Sequence, residues 1–260
     1  MFDFHIHTAY TDGMHFDDIL SEAESVGIEA VGLVDHAVVT DDATLLGHKH
    51  TLAHVFDHTY HLRRKALSDY SNKTAVSIYD GIELDYNSSD EELISEFIRS
   101  ASFEYTIGSV HYVHGTNIQF AEAFEGYTEE ELDAAVEEYY TQLESLVRSE
   151  LFDIAAHPDL IERNPRTAGR TTSKQADRIA LAFAESETIP EFNAGDIGSG
   201  SSANIHPREP LRSQLFERGV SFTYGSDAHS PGEMSSRNPL LREVAEASDV
   251  TILEPEDICG

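Results

Sequence analysis

The sequence predicts one α/β domain over residues 1–260, in which seven strands, each followed by a helix, close into a parallel barrel. Three observations predict it. Short β-branched runs alternate with longer acidic, amphipathic ones, no Pro/Gly/Ser linker or internal repeat divides the chain, and six of the seven strands end in His, Asp or Glu. In a closed parallel barrel those ends meet on one face, so side chains far apart in sequence would share one site.

The first strand is FDFHIH (2–7). Alternation puts Asp3, His5 and His7 on one face and Phe2, Phe4 and Ile6 on the other. The helix FDDILSEAESV follows and stops at Gly27, a residue that readily takes the left-handed terminal conformation. AVGLVDH (30–36) is the second strand and ends in Asp35 and His36. A helical pattern covers 44–70. Within it His50, His54, His58 and His61 fall on one helix face, which reads as packing or solvated surface and is left out of the candidate ligands. SIYDGIELDY (77–86) carries Glu83 and precedes a helix at 89–101. YTIGSVHY (105–112) carries His111, before a helix at 128–150. FDIAAHPD (152–159) carries His157, before a helix at 173–187. PEFNAG (190–195) leads into GDIGSGSSAN (195–204), read as an active-site loop, and a helix at 208–218. SFTYGSDAH (221–229) brings Asp227 and His229, ahead of a helix at 239–247.

Charge narrows the function. Asp and Glu number 48 against 17 Lys and Arg, a formal net charge of −31. The excess lies on helices such as TEEELDAAVEEYY (128–140), so the whole surface is acidic. Such a shell repels itself at ordinary ionic strength and is screened at molar salt, where the Debye length falls to about 3 Å. The composition is that of a protein adapted to a salt-rich cytoplasm, as in halophilic archaea. It argues against nucleic acid and anionic membranes as partners, since no basic stripe is present. The chain begins in a strand without a leader pattern and has no apolar run long enough to span a bilayer, which also predicts a cytoplasmic protein. The single cysteine, Cys259, excludes an internal disulfide and a thiolate metal cluster. Imidazoles and carboxylates without thiolates suit a catalytic zinc, manganese or iron site.

The motifs H-x-H-T…T-D-G (5–13), V-D-H (34–36), G-I-E (81–83), I-G-S-V-H-Y (107–112), A-H-P-D (156–159) and G-S-D-A-H (225–229) together resemble the PHP (polymerase and histidinol phosphatase) family, most closely its stand-alone histidinol-phosphatase type. The resemblance implies a distorted (β/α)7 TIM-like barrel with three divalent ions. It implies that His5, His7 and Asp227 hold the first ion, and that Glu83 bridges it to a second held by His111 and His157. His36 and His229 would hold the third, with Asp12 or His15 as a ligand from the first loop and Asp12 favoured. Glu83, Asp227 and His229 then count as catalytic. The implied reaction is hydrolysis of a small phosphate monoester by metal-bound hydroxide, with histidinol phosphate as the expected substrate. The alternatives are a phosphoesterase acting on nucleotides or other small phosphates, and a non-catalytic domain.

Arg163, Arg166 and Arg170 in ERNPRTAGR follow His157 closely in a chain short of cations, and guanidinium groups match phosphate oxygens. Asn193 and Arg208 are further substrate-binding candidates. Relatives acting on histidinol phosphate have N-T-x-G-x-R near 193; here Asn193 and Gly195 remain, but the next arginine is Arg208.

The charge leads to a direct expectation. The thermal midpoint should be higher in about 2 M KCl than in about 0.1 M KCl, because screening removes self-repulsion from the folded state. Equal midpoints by calorimetry would contradict that account.

Overall fold

Seven parallel strands carry the frame in the computed structural model, which describes residues 1–70, 73–195 and 204–259. They are β1 (Phe2–His7), β2 (Ala30–Val34), β4 (Ser77–Asp85), β5 (Tyr105–Ser109), β8 (Ile154–Ala155), β9 (Ile189–Asn193) and β10 (Thr223–Gly225), hydrogen-bonded in that order. The short β3 (His36–Ala37) continues the path of β2 against β4. The chain beyond β10 closes the ring on β1: Asp227 N donates to His5 O at 2.8 Å, and His7 N to Ala228 O at 3.0 Å. This is the closed parallel barrel that the alternating pattern predicted, in the distorted TIM-like form that the family resemblance implied.

The helices α1 (Phe16–Val26), α2 (Ala43–Thr51), α3 (Phe56–Tyr70), α4 (Glu91–Ala101), α5 (Glu129–Arg148), α6 (Ser173–Ala184), α7 (Leu211–Glu217), α8 (Glu233–Ser248) and α9 (Pro255–Ile258) occupy the connections. Their ends follow local chemistry. Thr128 with Glu131, and Thr172 with Gln175, form reciprocal capping boxes on α5 and α6, satisfying amides that lack a partner in the first turn. The α5 helix buries Leu132, Ala135, Val136, Tyr139, Tyr140, Leu143, Leu146 and Val147, a stripe at three- and four-residue spacing, and leaves Glu129, Glu130, Glu131 and Glu137 in solvent.

At the barrel's interior Phe4 and Tyr105 pack with ring centroids 4.9 Å apart, and Tyr105 Oη donates to Phe4 O at 2.9 Å. A Cβ at Gly32 would lie 2.3 Å from that Oη, so the neighbouring strand carries no side chain there.

The structure departs from the sequence pattern in four places. The register of β1 on β2 shifts between Asp3 and Ile6, which breaks strict alternation. Phe4 joins the Tyr105 cluster, Ile6 packs with Met14 and Ile19 of the α1 side, and Asp3 accepts from Asn238 of α8 at 2.8 Å rather than joining the histidines. The helical pattern at 44–70 splits into α2 and α3 at a turn where Ala53 has φ 57, so the four histidines do not share a face. His50, His58 and His61 are exposed, whereas His54 is buried. The predicted strands at 152–159 and 221–229 are shorter because the backbone leaves the ladder at His157 (φ 27) and Asp227 (φ 55), both in the left-handed region that non-glycine residues adopt at a cost. After β5 the chain turns into a small antiparallel hairpin, β6 (Tyr112–Val113) with β7 (Thr116–Asn117), instead of continuing to His111 and beyond. The loop read at 195–204 lies outside the described residues except at its two ends.

Arg63 of α3 ties the frame together. It is fully buried, with Nη1 2.7 Å from Asp35 Oδ2 and Nη2 2.8 Å from Asp80 Oδ1, and its guanidinium lies 4.2 Å over the Phe56 ring. Asp35 also accepts from Thr8 N, Thr8 Oγ1 and Thr11 Oγ1, so the same ion pair shapes the loop after β1. Removing one member of a buried charge network leaves the others uncompensated, which costs about 3–5 kcal/mol. Arg63→Met should therefore lower the unfolding free energy from denaturant titration by about 3–5 kcal/mol, seen as an earlier midpoint at unchanged slope; a midpoint at the wild-type value would show the pairs to be dispensable.

Candidate metal centre

Five of the strand-end histidines surround one carboxylate. Glu83 Oε2 lies 2.9 Å from His36 Nδ1 and 3.4 Å from Nε2 of both His5 and His7. Its other oxygen lies 3.4 Å from His157 Nε2 and 3.6 Å from His111 Nε2, and accepts from Ser109 Oγ. Asp227 Oδ1 adds 3.4 Å to His7 Nε2, and 3.6 Å to His5 Nε2 and to His229 Nδ1. Asp12 stands at the rim, with Oδ2 3.6 Å from His229 Nε2 and 3.9 Å from His36 Nε2. His15, the other first-loop candidate, is exposed at the start of α1 and lines a separate hollow with Tyr10 and Tyr70. Gly13 is required beside Asp12: a Cβ there would come within 2.1 Å of the His7 carbonyl, which accounts for the glycine of T-D-G.

The ring tautomers decide what the cluster can hold. His5 Nδ1 donates to the Glu191 carboxylate at 3.0 Å, His111 Nδ1 to Asp85 at 2.6 Å, and His229 Nδ1 to the Asp227 carbonyl at 3.0 Å. Each ring therefore turns its Nε2 lone pair toward carboxylate oxygens. The Nε2 atoms of His5, His111 and His229 meet Glu83, Glu83 and Asp12 at 3.4, 3.6 and 3.6 Å. Lone pairs buried against lone pairs are stable only with positive charge between them. Glu83 Oε2 and His111 Nε2, both turned to the centre, are buried without a hydrogen-bond partner, a pair of donors that suits a cation.

Protons answer the same field. Burial alone would depress His5, but the carboxylates of Glu191, Glu83 and Asp227 outweigh it and hold the ring well above its usual pKa. Burial likewise opposes the charge on His36, yet Glu83 pushes it up to about 10. His7 goes the other way: burial and the charges of His229 and His36 lower it to about 3. Glu83 and Asp227 are held well below the carboxylate range, since the surrounding imidazoles overcome the effect of burial. Divalent cations fit this donor set. Among the described residues three groups have ligand atoms within 4.8 Å of one another: His5, His7 and Glu83; His36, Glu83 and His111; and His7, Asp12, His36 and His229. Nitrogen and oxygen donors without thiolate match zinc, manganese and iron.

A cavity of about 390 Å³ opens over the cluster, lined by Asp12, His36, Glu83, His111, His157, Asp227 and His229, and by Arg163. The structure separates the predicted arginines. Arg163 lines the cavity, with Nη2 3.3 Å from Gly195 O. Arg166 donates to Tyr127 O at 2.9 Å, and Arg170 pairs with Glu129 and Asp133 of α5, so neither faces the cavity. The backbone of Arg208 donates to Asp159 at 2.6 Å and its Nη1 to Glu162 O at 3.1 Å. Asn193 is buried and spends its side chain on Glu191 at 2.7 Å and on the Gly195 amide at 2.8 Å. It supports the site from behind.

Residues 3–195 match the PHP domain family. The chain belongs to that family. A probable histidinol-phosphatase of Deinococcus radiodurans is 30% identical over 177 residues, which are 66% of this chain and 65% of that relative's length. This PHP barrel is similar to the histidinol phosphate phosphatase of Lactococcus lactis, solved with zinc, L-histidinol and phosphate: TM-score 0.72 and 19% identity over 97% of this chain and 95% of that one. A Listeria monocytogenes protein given a similar assignment matches with TM-score 0.72 and 16% identity over 90% and 97%.

Four residues of the PHP site escaped the sequence motifs. Glu191 on β9 and Asp85 on β4 orient His5 and His111; both lie two residues from a recognised position, Asn193 and Glu83, and period-two reading of their strands would have found them. His54 stacks on His36 with centroids 4.4 Å apart and reaches the site only because α2 and α3 are separate. Arg237 of α8 donates to the Asp227 carbonyl at 2.7 Å and holds the strained turn there. The central carboxylate is the least replaceable of the set. Glu83→Gln keeps the volume and removes the charge, so bound metal measured by elemental analysis should fall below the wild-type ratio and turnover at the site should nearly vanish. Wild-type metal content with normal turnover would sink the assignment of the cluster.

Proposed function

We propose that this PHP protein is a metal-dependent phosphatase that hydrolyses histidinol phosphate to histidinol and phosphate. One observation carries the reading: a cluster of buried imidazoles and carboxylates that demands cations shares a cavity with the guanidinium of Arg163. The family membership and the activity named for the Deinococcus and Lactococcus proteins support it. His5, His7 and Asp227 would hold one ion, Glu83 with His111 and His157 a second, and Asp12, His36 and His229 a third, with Glu83 between the first two. Bound divalent ions, zinc, manganese or iron, supply Lewis acidity to phosphoryl oxygens and lower the pKa of water.

The chain's own residues set the geometry. Glu191 and Asp85 keep the Nδ1 protons of His5 and His111 in place, so that both rings present Nε2 to the centre. The ring of strand-borne groups is sealed from solvent, whereas Asp12 and His229 have side chains 47% and 33% exposed. A phosphate dianion therefore enters past these two groups. Arg163 would grip its outer oxygens, and the acidic exterior leaves this pocket as the place where an anion is attracted. The net charge of −31 supports a salt-rich cytoplasm, as in halophilic archaea, as the setting in which the whole chain, 1–260, works as one domain.

A panel of phosphate esters tests the proposal on metal-loaded enzyme in concentrated salt. Histidinol phosphate should give the highest kcat/KM, ahead of AMP, bisphosphorylated nucleotides and sugar phosphates; a nucleotide at the head of the panel would move the assignment to a nucleotide phosphoesterase. Truncating a charged contact in a desolvated site costs about 2–5 kcal/mol, or roughly 30- to several-thousand-fold. Arg163→Ala should lose at least about thirtyfold in kcat/KM with its metals retained, while Arg170→Ala, which breaks a solvent-screened pair, should remain near wild type. Equal behaviour of the two variants would remove Arg163 from phosphate binding.

A further inference from the structure

Among the described residues three large apolar side chains are exposed, Leu62, Phe120 and Leu181. Phe120, 50% exposed, is the one that lines the cavity over the histidine cluster. Its backbone is pinned on both sides. Ile118 N donates to the carbonyl of His111 at 2.9 Å, and Gln119 N to Asn117 Oδ1 at 2.9 Å. The Phe120 carbonyl accepts from Asn164 Nδ2 at 2.9 Å and from Ala123 N at 3.0 Å. The ring is thus held at the mouth by the segment that runs from the candidate ligand His111 through the β6–β7 hairpin. Leu52, from the turn between α2 and α3, lines the same cavity.

The cavity is therefore divided chemically. Imidazoles, carboxylates and Arg163 line its polar part, while Phe120 and Leu52 are its apolar lining. A ligand that fits both has a phosphate for the cluster and a planar ring to lie against Phe120. Aromatic faces attract planar partners in offset or edge-on geometry beyond the gain from buried area. We infer that Phe120 is the specificity-determining residue for the leaving group, a platform on which a planar aromatic ring carried by the alcohol portion of the phosphate ester packs. The inference rests on the phosphatase reading and deepens it: the metals act on the phosphate whatever the alcohol, and Phe120 selects the alcohol.

The test compares the metal-loaded wild type with Phe120→Ala and Phe120→Tyr on histidinol phosphate, phenyl phosphate and glycerol 3-phosphate, with metal content measured for each. Phe120→Ala should lower kcat/KM roughly tenfold on the two aromatic esters, chiefly through KM. On glycerol 3-phosphate it should stay within about twofold of wild type, and Phe120→Tyr should restore the aromatic esters. Binding of L-histidinol alone, followed by calorimetry, should weaken in Phe120→Ala by a similar factor. An equal fall on all three esters would mean that Phe120 only supports the fold, and an unchanged profile would mean that the leaving group packs elsewhere; either overturns the inference while leaving the phosphatase reading intact. Wild-type enzyme that hydrolyses none of the three would instead overturn the phosphatase reading, and the role of Phe120 with it.

Discussion

Glu83 is a fully buried carboxylate with five imidazoles within 3.6 Å, and the rest of the barrel is arranged around that concentration of charge. A lone ionised carboxylate in such a place would be untenable, because burial disfavours its charge. Here the charge is retained: the imidazoles hold Glu83 well below the usual carboxylate range against the pull of burial. Positive charge at the centre, as protons on His5 and His36 or as bound cations, is thus a condition of the fold's own stability. Function and folding make the same electrostatic demand.

Around that centre runs a second layer that fixes direction rather than charge. Glu191, Asp85 and the Asp227 carbonyl each occupy one ring nitrogen of a histidine and so aim the other inward. Asn193 and the backbone amide of His157 in turn occupy Glu191. Arg63 performs the corresponding task for the loop after β1, through Asp35 and the hydroxyls of Thr8 and Thr11. Ligand rings carried on rigid strand ends and locked by such partners lose little freedom when they bind a cation, which favours tight and well-oriented metal sites.

The contrast between exterior and interior is equally physical. The shell carries the excess of acidic residues on helices such as α5, whereas the mouth of the barrel presents imidazoles and Arg163. Of the neighbouring arginines, Arg170 is drawn to Glu129 and Asp133 on that acidic shell, so most local cation is spent outside the cavity. Proximity in sequence to His157 was therefore a poor guide for Arg166 and Arg170.

Asp12, in the loop after β1, was reached only through the family resemblance; the sequence by itself determined the alternation of strands and helices, the barrel, and the metal-ligand candidates His5, His7, His36, Glu83, His111, His157, Asp227 and His229. The reason is that these residues lie at strand ends, and parallel closure brings all strand ends to one face. Tertiary structure alone decided three things. It broke the 44–70 helix and so brought His54 onto His36, against a helical periodicity that runs through the break. It paired Glu191 and Asp85 with their histidines, contacts between different strands that local pattern does not encode. It also chose Arg163 over Arg166 and Arg170, because the direction of a side chain in an irregular loop depends on which carboxylates and carbonyls surround it in space.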